Sequence, residues 1–284
     1  MDDVQAGTSH EPFRLDLIEI AANGAIAIAE TSEDWTRIKI LEPEGEPGVA
    51  DREHELPFEA LALIPDGDSE FVFIGARGQI ARVGATVELR DEMPLRRGNE
   101  QLLHGAARIG GRVHVASLSG ELLERRGDGS GWKTVCKPLT SSGEFVWAIG
   151  ANDAEVFAVG SSVWQRRGGS WVPTDAPRGF YTALTFHEGA PVTFTEKSLA
   201  RRTADGVWLD EPLDVRKKID DLCSFQGTLH LAADGVLYTL AGDELRQDSS
   251  LEACSCLVSN GDVLLAATNR ELHCSSGATW FRLW

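Results

Sequence analysis

The serines and glycines of this chain do not fall into the spacings that nucleophilic or nucleotide chemistry requires. A nucleophile elbow, G-x-S-x-G, would hold a serine on a strained turn between a strand and a helix. The two nearest matches, around Ser162 and Ser170, end in Trp164 and Val172 instead of glycine. The phosphate-binding patterns G-x-x-x-x-G-K-[ST] and G-x-G-x-x-G do not occur in the sequence. We therefore predict no catalytic residue and no cofactor.

Metal-binding patterns are also incomplete. A zinc site of the H-E-x-x-H type needs a second histidine one helical turn after the first. Neither His54 nor His187, the two histidines that precede a glutamate, has one. Asp66, Asp68 and Glu70 alternate at a predicted turn and could chelate calcium weakly, but the rest of a calcium loop is missing. We predict no metal site, with weak calcium binding at this turn as the alternative.

Two further histidines and the cysteines complete the candidates for chemistry. His114 and His230 occupy matching positions in strand-like segments, which predicts side chains on a sheet face, with a general base in a channel as the alternative. The five cysteines are Cys136, Cys223, Cys254, Cys256 and Cys274. Their odd number and the lack of C-x-x-C argue against a disulfide framework and a zinc knuckle. We interpret them as small buried apolar residues, with a redox or metal role as the alternative.

The segment EPEGEPGVADREHELP, residues 42 to 57, is the most unusual of the chain, and we call it the acidic arm. Its prolines and glycines predict an extended loop that leads into a short strand. The arm is either a solvated loop or a docking segment for a basic protein, where charge would accelerate association more than it tightens binding. We predict the partner-binding residues among its carboxylates, which are Glu42, Glu44, Glu46, Asp51, Glu53 and Glu55.

The charge of the whole chain also indicates the kind of partner. Lys and Arg number 27 and Asp and Glu number 44, so the formal net charge is −17. This charge repels nucleic acid and anionic membranes and attracts basic proteins. Residues 1 to 100 contain 22 acidic and 9 basic side chains, so one sector carries most of the field. We predict a basic protein as the partner, with no nucleic acid and no membrane.

The elements that position these residues repeat along the chain. Seven segments share one pattern, a turn of small or polar residues and then an alternating apolar strand, and they recur about every 40 residues. They are ANGAIAIAE (22 to 30), DSEFVFIG (68 to 75), GGRVHVAS (110 to 117), NDAEVFAVG (152 to 160), EGAPVTFT (188 to 195), QGTLHLAA (226 to 233) and NGDVLLAA (260 to 267). Each follows another strand-like run across a short turn such as Asn-Gly or Gln-Gly, the preferred chemistry of tight hairpins. This pattern predicts an all-β, single seven-bladed β-propeller with four antiparallel strands per blade.

The later strands of each predicted blade carry tryptophans and arginine pairs. Fourth strands often begin with tryptophan, which suits a seam between blades; these residues are Trp132, Trp171, Trp208 and Trp280. Third strands end in arginine pairs at 125–126, 166–167 and 201–202, which predicts basic groups on one rim. They either meet an acidic partner or keep strand ends solvated. A sialidase-like enzyme would instead need arginines converging at the channel.

The chain of 284 residues is long enough for two domains, but propellers of this length are one domain. We predict a flexible N-terminal segment, residues 1 to 12, and a propeller domain from 13 to 284. Ring closure would rest on packing between the first and last blades, or on residues 1 to 12 pairing elsewhere. The N-terminus has no secretory signal pattern, which predicts a cytoplasmic protein.

The stretch FVWAIGANDAEVFAVGSSVWQRRGGSWVP, residues 145 to 173, resembles the blades of bacterial β-propeller repeat proteins. The tail GATW, residues 277 to 280, resembles the second half of an Asp-box, as found in sialidase-like propellers. The resemblance and the acidity favour a non-catalytic protein-binding propeller, a monomer before complex formation. It would be an immunity or antitoxin-type protein that neutralises a basic toxin or effector, or an assembly scaffold. The alternative is a glycoside hydrolase or lyase-like enzyme with its site at the central channel.

Overall fold

Seven four-stranded antiparallel sheets, each built from four consecutive strands, make up the fold in a computed structural model of the chain. The structure describes residues 15–45, 49–67, 70–75, 78–90, 103–126, 131–139, 143–152, 154–196, 198–214, 219–242, 244–252, 254–268, 271–277 and 279–284. No helix occurs in these ranges, and so none of them contains a helix long and apolar enough to cross a membrane.

The strands follow the chain in groups of four. In blades 1 to 4 they are β1 (Leu17–Ile20), β2 (Ile26–Thr31), β3 (Thr36–Leu41), β4 (Arg52–Leu56); β5 (Ala60–Pro65), β6 (Phe71–Gly75), β7 (Ile80–Val83), β8 (Val87–Arg90); β9 (Leu103–Ile109), β10 (Arg112–Ser117), β11 (Leu122–Arg125), β12 (Trp132–Cys136); β13 (Val146–Ala151), β14 (Val156–Gly160), β15 (Val163–Arg167), β16 (Ser170–Pro173). In blades 5 to 7 they are β17 (Leu184–His187), β18 (Ala190–Phe194), β19 (Ser198–Arg202), β20 (Trp208–Pro212); β21 (Ile219–Phe225), β22 (Thr228–Ala233), β23 (Val236–Ala241), β24 (Glu244–Glu252); β25 (Cys256–Ser259), β26 (Leu264–Ala267), β27 (Leu272–Ser275), β28 (Trp280–Arg282).

The first strands of neighbouring blades contact one another in a closed cycle, β1, β5, β9, β13, β17, β21, β25 and back to β1. These seven strands therefore surround the central channel, and the predicted seven-bladed propeller is confirmed. The ring closes by packing: Ile18 and Ile28 of blade 1 share a buried cluster with Leu265 and Leu272 of blade 7. The described sheets exchange no strand between blades. The predicted boundary between residues 12 and 13 lies outside the described residues.

Two-residue turns join the first and second strands of blades 3, 5 and 6, and connections of four or five residues join them in the other blades. Between β21 and β22 both central residues, Gln226 (φ 47°) and Gly227 (φ 73°), have positive φ. Glu188 (φ 50°) and Gly189 (φ 79°) repeat this geometry between β17 and β18. Two successive positive φ values are the signature of the turn whose twist matches that of the flanking strands. These turns therefore favour the observed antiparallel register of the strands that they join.

Fourth-strand tryptophans seal the seams between blades. Trp132 of blade 3 is buried among apolar residues of blade 2, and Trp208 of blade 5 meets the ring of Phe157 in blade 4 edge-on at 6.1 Å. Trp171 of blade 4 donates its indole N–H to the carbonyl of Gly120 in blade 3 at 2.7 Å. The prediction that these tryptophans pack between blades is confirmed. Each reaches back to the preceding blade, which fixes the spacing of the inner strands.

Alternating strand direction separates the connections onto two faces of the disc. We call one the linker face; it carries the connections between blades and the turns between second and third strands, whose described residues are 15–16, 32–35, 57–59, 78–79, 118–121, 137–139, 143–145, 161–162, 174–183, 195–196, 213–214, 234–235, 254–255, 268, 271 and 283–284. The opposite, hairpin face carries the turns between first and second strands and between third and fourth strands. Because every first strand begins at the linker face, its first residues surround the channel mouth there.

Candidate functional site

The first strands of four blades carry a β-bulge at the same position, their second residue. The unpaired residues are Leu61, His104, Trp147 and Asp220. A bulge adds one residue to a strand, re-aims its side chain, and is common beside binding sites. These four residues lie at the mouth of the channel on the linker face, since first strands begin there. The ring thus places a leucine, a histidine, a tryptophan and an aspartate around one opening.

Aromatic rings cluster at this mouth, and we call His104, Phe145, Trp147 and Phe180 the aromatic patch. The rings of His104 and Trp147 stack with centroids 4.5 Å apart and planes at 28°. Phe180 meets Trp147 edge-on with ring centroids 5.7 Å apart, and it meets Phe145 at 5.6 Å with the ring planes tilted by 54°. Trp147 is 37% exposed and Phe180 is 47% exposed. Large exposed rings in mutual contact mark a recognition surface more often than scattered single ones do.

Buried neighbouring residues anchor the backbone that carries the exposed rings of the patch. Val146, between Phe145 and Trp147, is fully buried, so the flanking side chains point the other way. Tyr181 is fully buried beside Phe180, donates its N–H to Gly160 O at 2.8 Å, and bonds Pro177 O through its hydroxyl. The connection that presents Phe180 is therefore anchored although it contains no regular structure.

A glycine allows the stack between His104 and Trp147. A Cβ atom at Gly105 would lie 3.1 Å from the Cα of Ala148 and from the backbone N of Ile149. Blades 3 and 4 can approach this closely only because residue 105 has no side chain. The close approach brings the preceding His104 onto the indole ring.

The imidazole of His104 acts as a neutral ring at neutral pH. Burial lowers its pKa below the ordinary value of 6.5, because desolvation penalises the charged form. A neutral imidazole adds an aromatic face without adding positive charge. The patch can accept a cation without repulsion from this histidine.

Two carboxylates, those of Glu19 and Asp221, lie on the first strands of blades 1 and 6 and are largely removed from solvent. Asp221 accepts hydrogen bonds from the N–H groups of Leu222 at 2.8 Å and Leu257 at 2.9 Å, which joins the first strands of blades 6 and 7. Burial nevertheless raises its pKa to about 6. Glu19 accepts from Ile20 N at 3.0 Å, and burial with the nearby Asp221 charge raises its pKa to about 7. Both groups titrate near neutral pH, a property that marks candidate functional sites.

The first strands, all of whose residues are described, carry three carboxylates and one guanidinium. The carboxylates belong to Glu19, Asp220 and Asp221. The guanidinium belongs to Arg108, near the hairpin-face end of β9, where it donates to Gly111 O and Pro65 O. Asp220 and Asp221 lie near the linker-face end of β21, and Glu19 lies further in, one residue before the hairpin-face end of β1.

A serine and a histidine meet at the opposite end of the channel. His187 Nδ1 lies 3.0 Å from Ser224 Oγ, across the boundary between blades 5 and 6. Such a pair has the geometry of a nucleophile and its base. It also serves as an ordinary hydrogen bond between first strands of adjacent blades.

The cysteines are poor nucleophiles in this fold. Burial raises the pKa of Cys136 to about 11 and those of Cys223 and Cys254 to about 12. Burial beside Asp221 raises the pKa of Cys256 as well, and its thiol bonds that carboxylate. Thiols held in the protonated form behave as small apolar side chains. This agrees with the interpretation drawn from the sequence.

The acidic arm lies away from the aromatic patch. Glu42, Glu44 and Asp51 belong to the loop between β3 and β4 on the hairpin face, and Glu53 and Glu55 lie on the outermost strand β4. Glu46 falls outside the described residues.

Internal contacts occupy part of the arm. The side chain of Glu42 pairs with that of Arg52, its N–H donates to Asp51 Oδ2 at 2.7 Å, and Glu53 lies 3.3 Å from Lys39 Nζ. Glu44 and Glu55 are exposed. Partner binding at the arm stays a prediction.

The arginine pairs do form a rim, and two of them hold neighbouring blades together. Arg202 of blade 5 lies 2.7 Å from Glu155 of blade 4 and over the ring of Phe157. Arg125 of blade 3 lies 3.5 Å from Asp66 of blade 2. These contacts on the hairpin face explain why the third strands end in arginine.

The remaining predicted ligands do not converge. Asp66 and Glu70 pair with Arg82, and Asp68 lies outside the described residues. His114 and His230 belong to second strands, one strand away from those that surround the channel, which agrees with side chains on a sheet face. His114 is buried, and its Nε2 lies 3.3 Å from Glu124. Within the described residues, no group of three or more His, Cys, Asp or Glu is arranged to hold a metal ion.

Sequence reasoning missed the aromatic patch. Phe145 and Trp147 are two residues apart at the start of a strand, and Phe180 precedes a second aromatic residue. Aromatic rings at the second residue of two successive first strands, His104 and Trp147, were the available signal. Alternation alone cannot say which side of a strand faces solvent.

Solved structures share this fold at low sequence identity. Virginiamycin B lyase from Staphylococcus aureus has a TM-score of 0.71 at 12% identity over 92% of this chain and 96% of that chain. The designed protein Ika8 has 0.67 at 14% identity, over 96% and 87%. YCF48 from Cyanidioschyzon merolae has 0.62 at 15% identity, over 80% and 86%. The likeness is one of fold alone. No family model and no curated protein sequence matches the chain.

Proposed function

We propose that this protein is a non-catalytic binding propeller that receives a basic protein at the channel mouth on its linker face. The observation that carries the proposal is the aromatic patch, in which Trp147 and Phe180 are exposed on anchored backbone. Interface energy concentrates in a few such rings, and tryptophan is the most enriched of them. The net charge of −17 selects basic partners and accelerates their approach.

The acidic arm is a second proposed contact. Its exposed Glu44 and Glu55 lie on the hairpin face and the outer rim, so one partner of ordinary size would not cover both the arm and the channel mouth. Charge reversal at Glu44 and Glu55 separates the two surfaces. If the complex needs the arm and not the patch, the proposed binding face is wrong.

The narrower role is that of an immunity or antitoxin-type protein, or of an assembly scaffold. Both roles use the same surface, and they differ in what happens to the partner. A neutraliser abolishes the activity of the basic protein it binds, whereas a scaffold leaves that activity intact.

The experiment is complex formation with the product of the adjacent gene, measured by calorimetry and size-exclusion chromatography at low and high salt. Trp147→Ala and Phe180→Ala should each weaken the complex at least tenfold, a loss typical of anchor residues. Phe281→Ala is the control, because Phe281 is 58% exposed on the outermost strand of blade 7. Binding that survives both patch substitutions would contradict the proposal.

A second candidate is an acid–base enzyme of the glycoside hydrolase or lyase kind, with its site in the channel. The raised pKa values of Glu19 and Asp221 favour it, since groups that titrate near neutrality suit proton transfer. Turnover of a glycoside substrate, by hydrolysis or by elimination, that is lost in both Glu19→Gln and Asp221→Asn would establish this candidate instead.

A further inference from the structure

We propose that the channel mouth on the linker face is a receptor for a single arginine side chain of the partner, stacked on the aromatic patch with its charge directed at the channel carboxylates. This inference rests on the proposed function, and it names the chemical group that the site recognises. It follows from how the ring divides aromatic and acidic residues between opposite sides of one opening.

The aromatic side of the mouth belongs to blades 3 and 4 and the connection that follows them. His104 covers one face of the Trp147 ring, and Trp147 and Phe180 remain 37% and 47% exposed, so aromatic surface is left for an incoming group. A planar guanidinium stacks on such faces and is attracted by their negative quadrupole. Arginine fits better than lysine, because its delocalised charge is less strongly hydrated.

The acidic side of the mouth belongs to blades 6, 7 and 1. Asp220 is the bulge residue that corresponds to His104 and Trp147, and Asp221 and Glu19 lie deeper along the first strands. Low-dielectric walls around a channel strengthen the attraction of such carboxylates for a cation. The side chains that the other first strands place at this end of the channel are apolar or uncharged, and they include the imidazole of His104, which burial keeps neutral.

A basic residue, Arg178, precedes Phe180 by two positions in the chain. Arg178 is exposed in the connection that presents Phe180. Its charge opposes the approach of a second guanidinium. Replacing it therefore has the opposite expected effect to replacing an aromatic residue, which separates charge effects from loss of structure.

Proton release distinguishes this site from simple adhesion to an acidic surface. A cation bound near Glu19 and Asp221 stabilises their ionised forms, so it lowers their pKa values from about 7 and about 6. Binding at pH 6.5 should then release protons. The apparent binding enthalpy will depend on the ionisation enthalpy of the buffer.

The test uses the full chain and N-acetyl-arginine amide, with the neutral isostere N-acetyl-citrulline amide, titrated by calorimetry at pH 6.5 in phosphate and in Bis-Tris, two buffers of different ionisation enthalpy. We expect the arginine compound to bind at millimolar concentration, with buffer-dependent enthalpy, and the citrulline compound to bind at least tenfold more weakly. Trp147→Ala and Phe180→Ala should each weaken binding about five- to tenfold. Arg178→Ala should tighten it, and Phe281→Ala should leave it unchanged.

Two results would overturn the inference: equal affinity for the arginine and citrulline compounds, or arginine binding that both aromatic substitutions leave intact. Neither result would contradict the proposed function, because that function is tested by complex formation with the protein partner. Conversely, the patch substitutions could leave the affinity of the partner complex unchanged while they weaken binding of the arginine compound. That result would support the arginine site and contradict the proposed function.

Discussion

The imidazole of His104 and the indole of Trp147 lie stacked 4.5 Å apart although they belong to different blades. They meet because Gly105 lets two first strands approach and because both residues are extra residues of β-bulges. The same irregularity that interrupts the strand pairing therefore creates the surface that we assign to binding.

Substitution of Gly105 should separate blades 3 and 4. The new Cβ of Gly105→Ala would lie 3.1 Å from the backbone of Ala148, which cannot yield as a side chain would. We expect a loss of about 1–3 kcal/mol in the free energy of unfolding, measured by chemical denaturation. Gly169→Ala is the control, because its nearest contact would be Val135 O at 3.9 Å. Equal stability of the two variants would contradict the close-approach explanation.

Removal of Arg202 should loosen the seam between blades 4 and 5. Arg202→Ala loses the ion pair with Glu155 and the contact with the Phe157 ring, both partly buried. We expect a loss of ~1–2 kcal/mol. Arg246→Ala, which removes an ion pair 64% exposed on both sides, should cause no measurable change. A double-mutant cycle between Glu155 and Arg202 measures the coupling free energy of the pair directly. A coupling of zero would show that this ion pair does not stabilise the seam between blades 4 and 5.

The stability of the protein should fall as pH rises through the titration of Glu19. Its folded pKa of about 7 exceeds the ordinary 4.5, so the folded state holds a proton that the unfolded state has already lost. The cost grows between about pH 4.5 and pH 7 and is then constant. Glu19→Gln removes the ionisable group and should be ~1–3 kcal/mol more stable than the native chain at pH 8, since channel water screens part of the penalty.

Thermal melts from pH 4.5 to pH 8.5 check this prediction. Glu55→Gln, on the exposed face of β4, is the matched control and should keep the native pH profile. Parallel profiles for Glu19→Gln and the native chain would show that Glu19 does not titrate in this range.

The native thiols should resist modification at neutral and mildly alkaline pH. Raised pKa values keep Cys136, Cys223 and Cys254 protonated, and the thiolate is the reactive form. We expect the native protein to react with Ellman's reagent far more slowly than the denatured protein, in which all five cysteines should react. Rapid labelling of a native thiol at pH 7 would contradict the geometry around it.

Much of the fold could be predicted from the sequence because its signals are local. Turn dipeptides such as Gln226-Gly227 demand positive φ, and alternation of apolar residues demands a sheet with a buried face. Both signals act within a few residues of the chain, so seven copies of the pattern predict seven blades. The tryptophan seams followed from the same repeat, since each ring has one neighbouring blade to pack against.

The candidate site could not be predicted in the same way. His104, Trp147 and Phe180 come from separate blades or connections, and Asp221 and Glu19 from others. No local signal indicates that their side chains share one opening. The acidic arm was visible because its charges are contiguous, yet the fold places it on the other face and pairs part of it with Arg52 and Lys39.

The sequence by itself thus determined the repeat, the strands, the turns and the charge, which depend on residues close together in the chain. Only the tertiary structure decided which side chains meet. Strand direction alternates within each blade, so successive connections fall on opposite faces, and ring closure brings Glu19 of the first blade beside Asp221 of the sixth. Bulges then turn Trp147 and His104 toward the mouth. The contacts that form the site are long-range, and they exist only once all seven blades have packed.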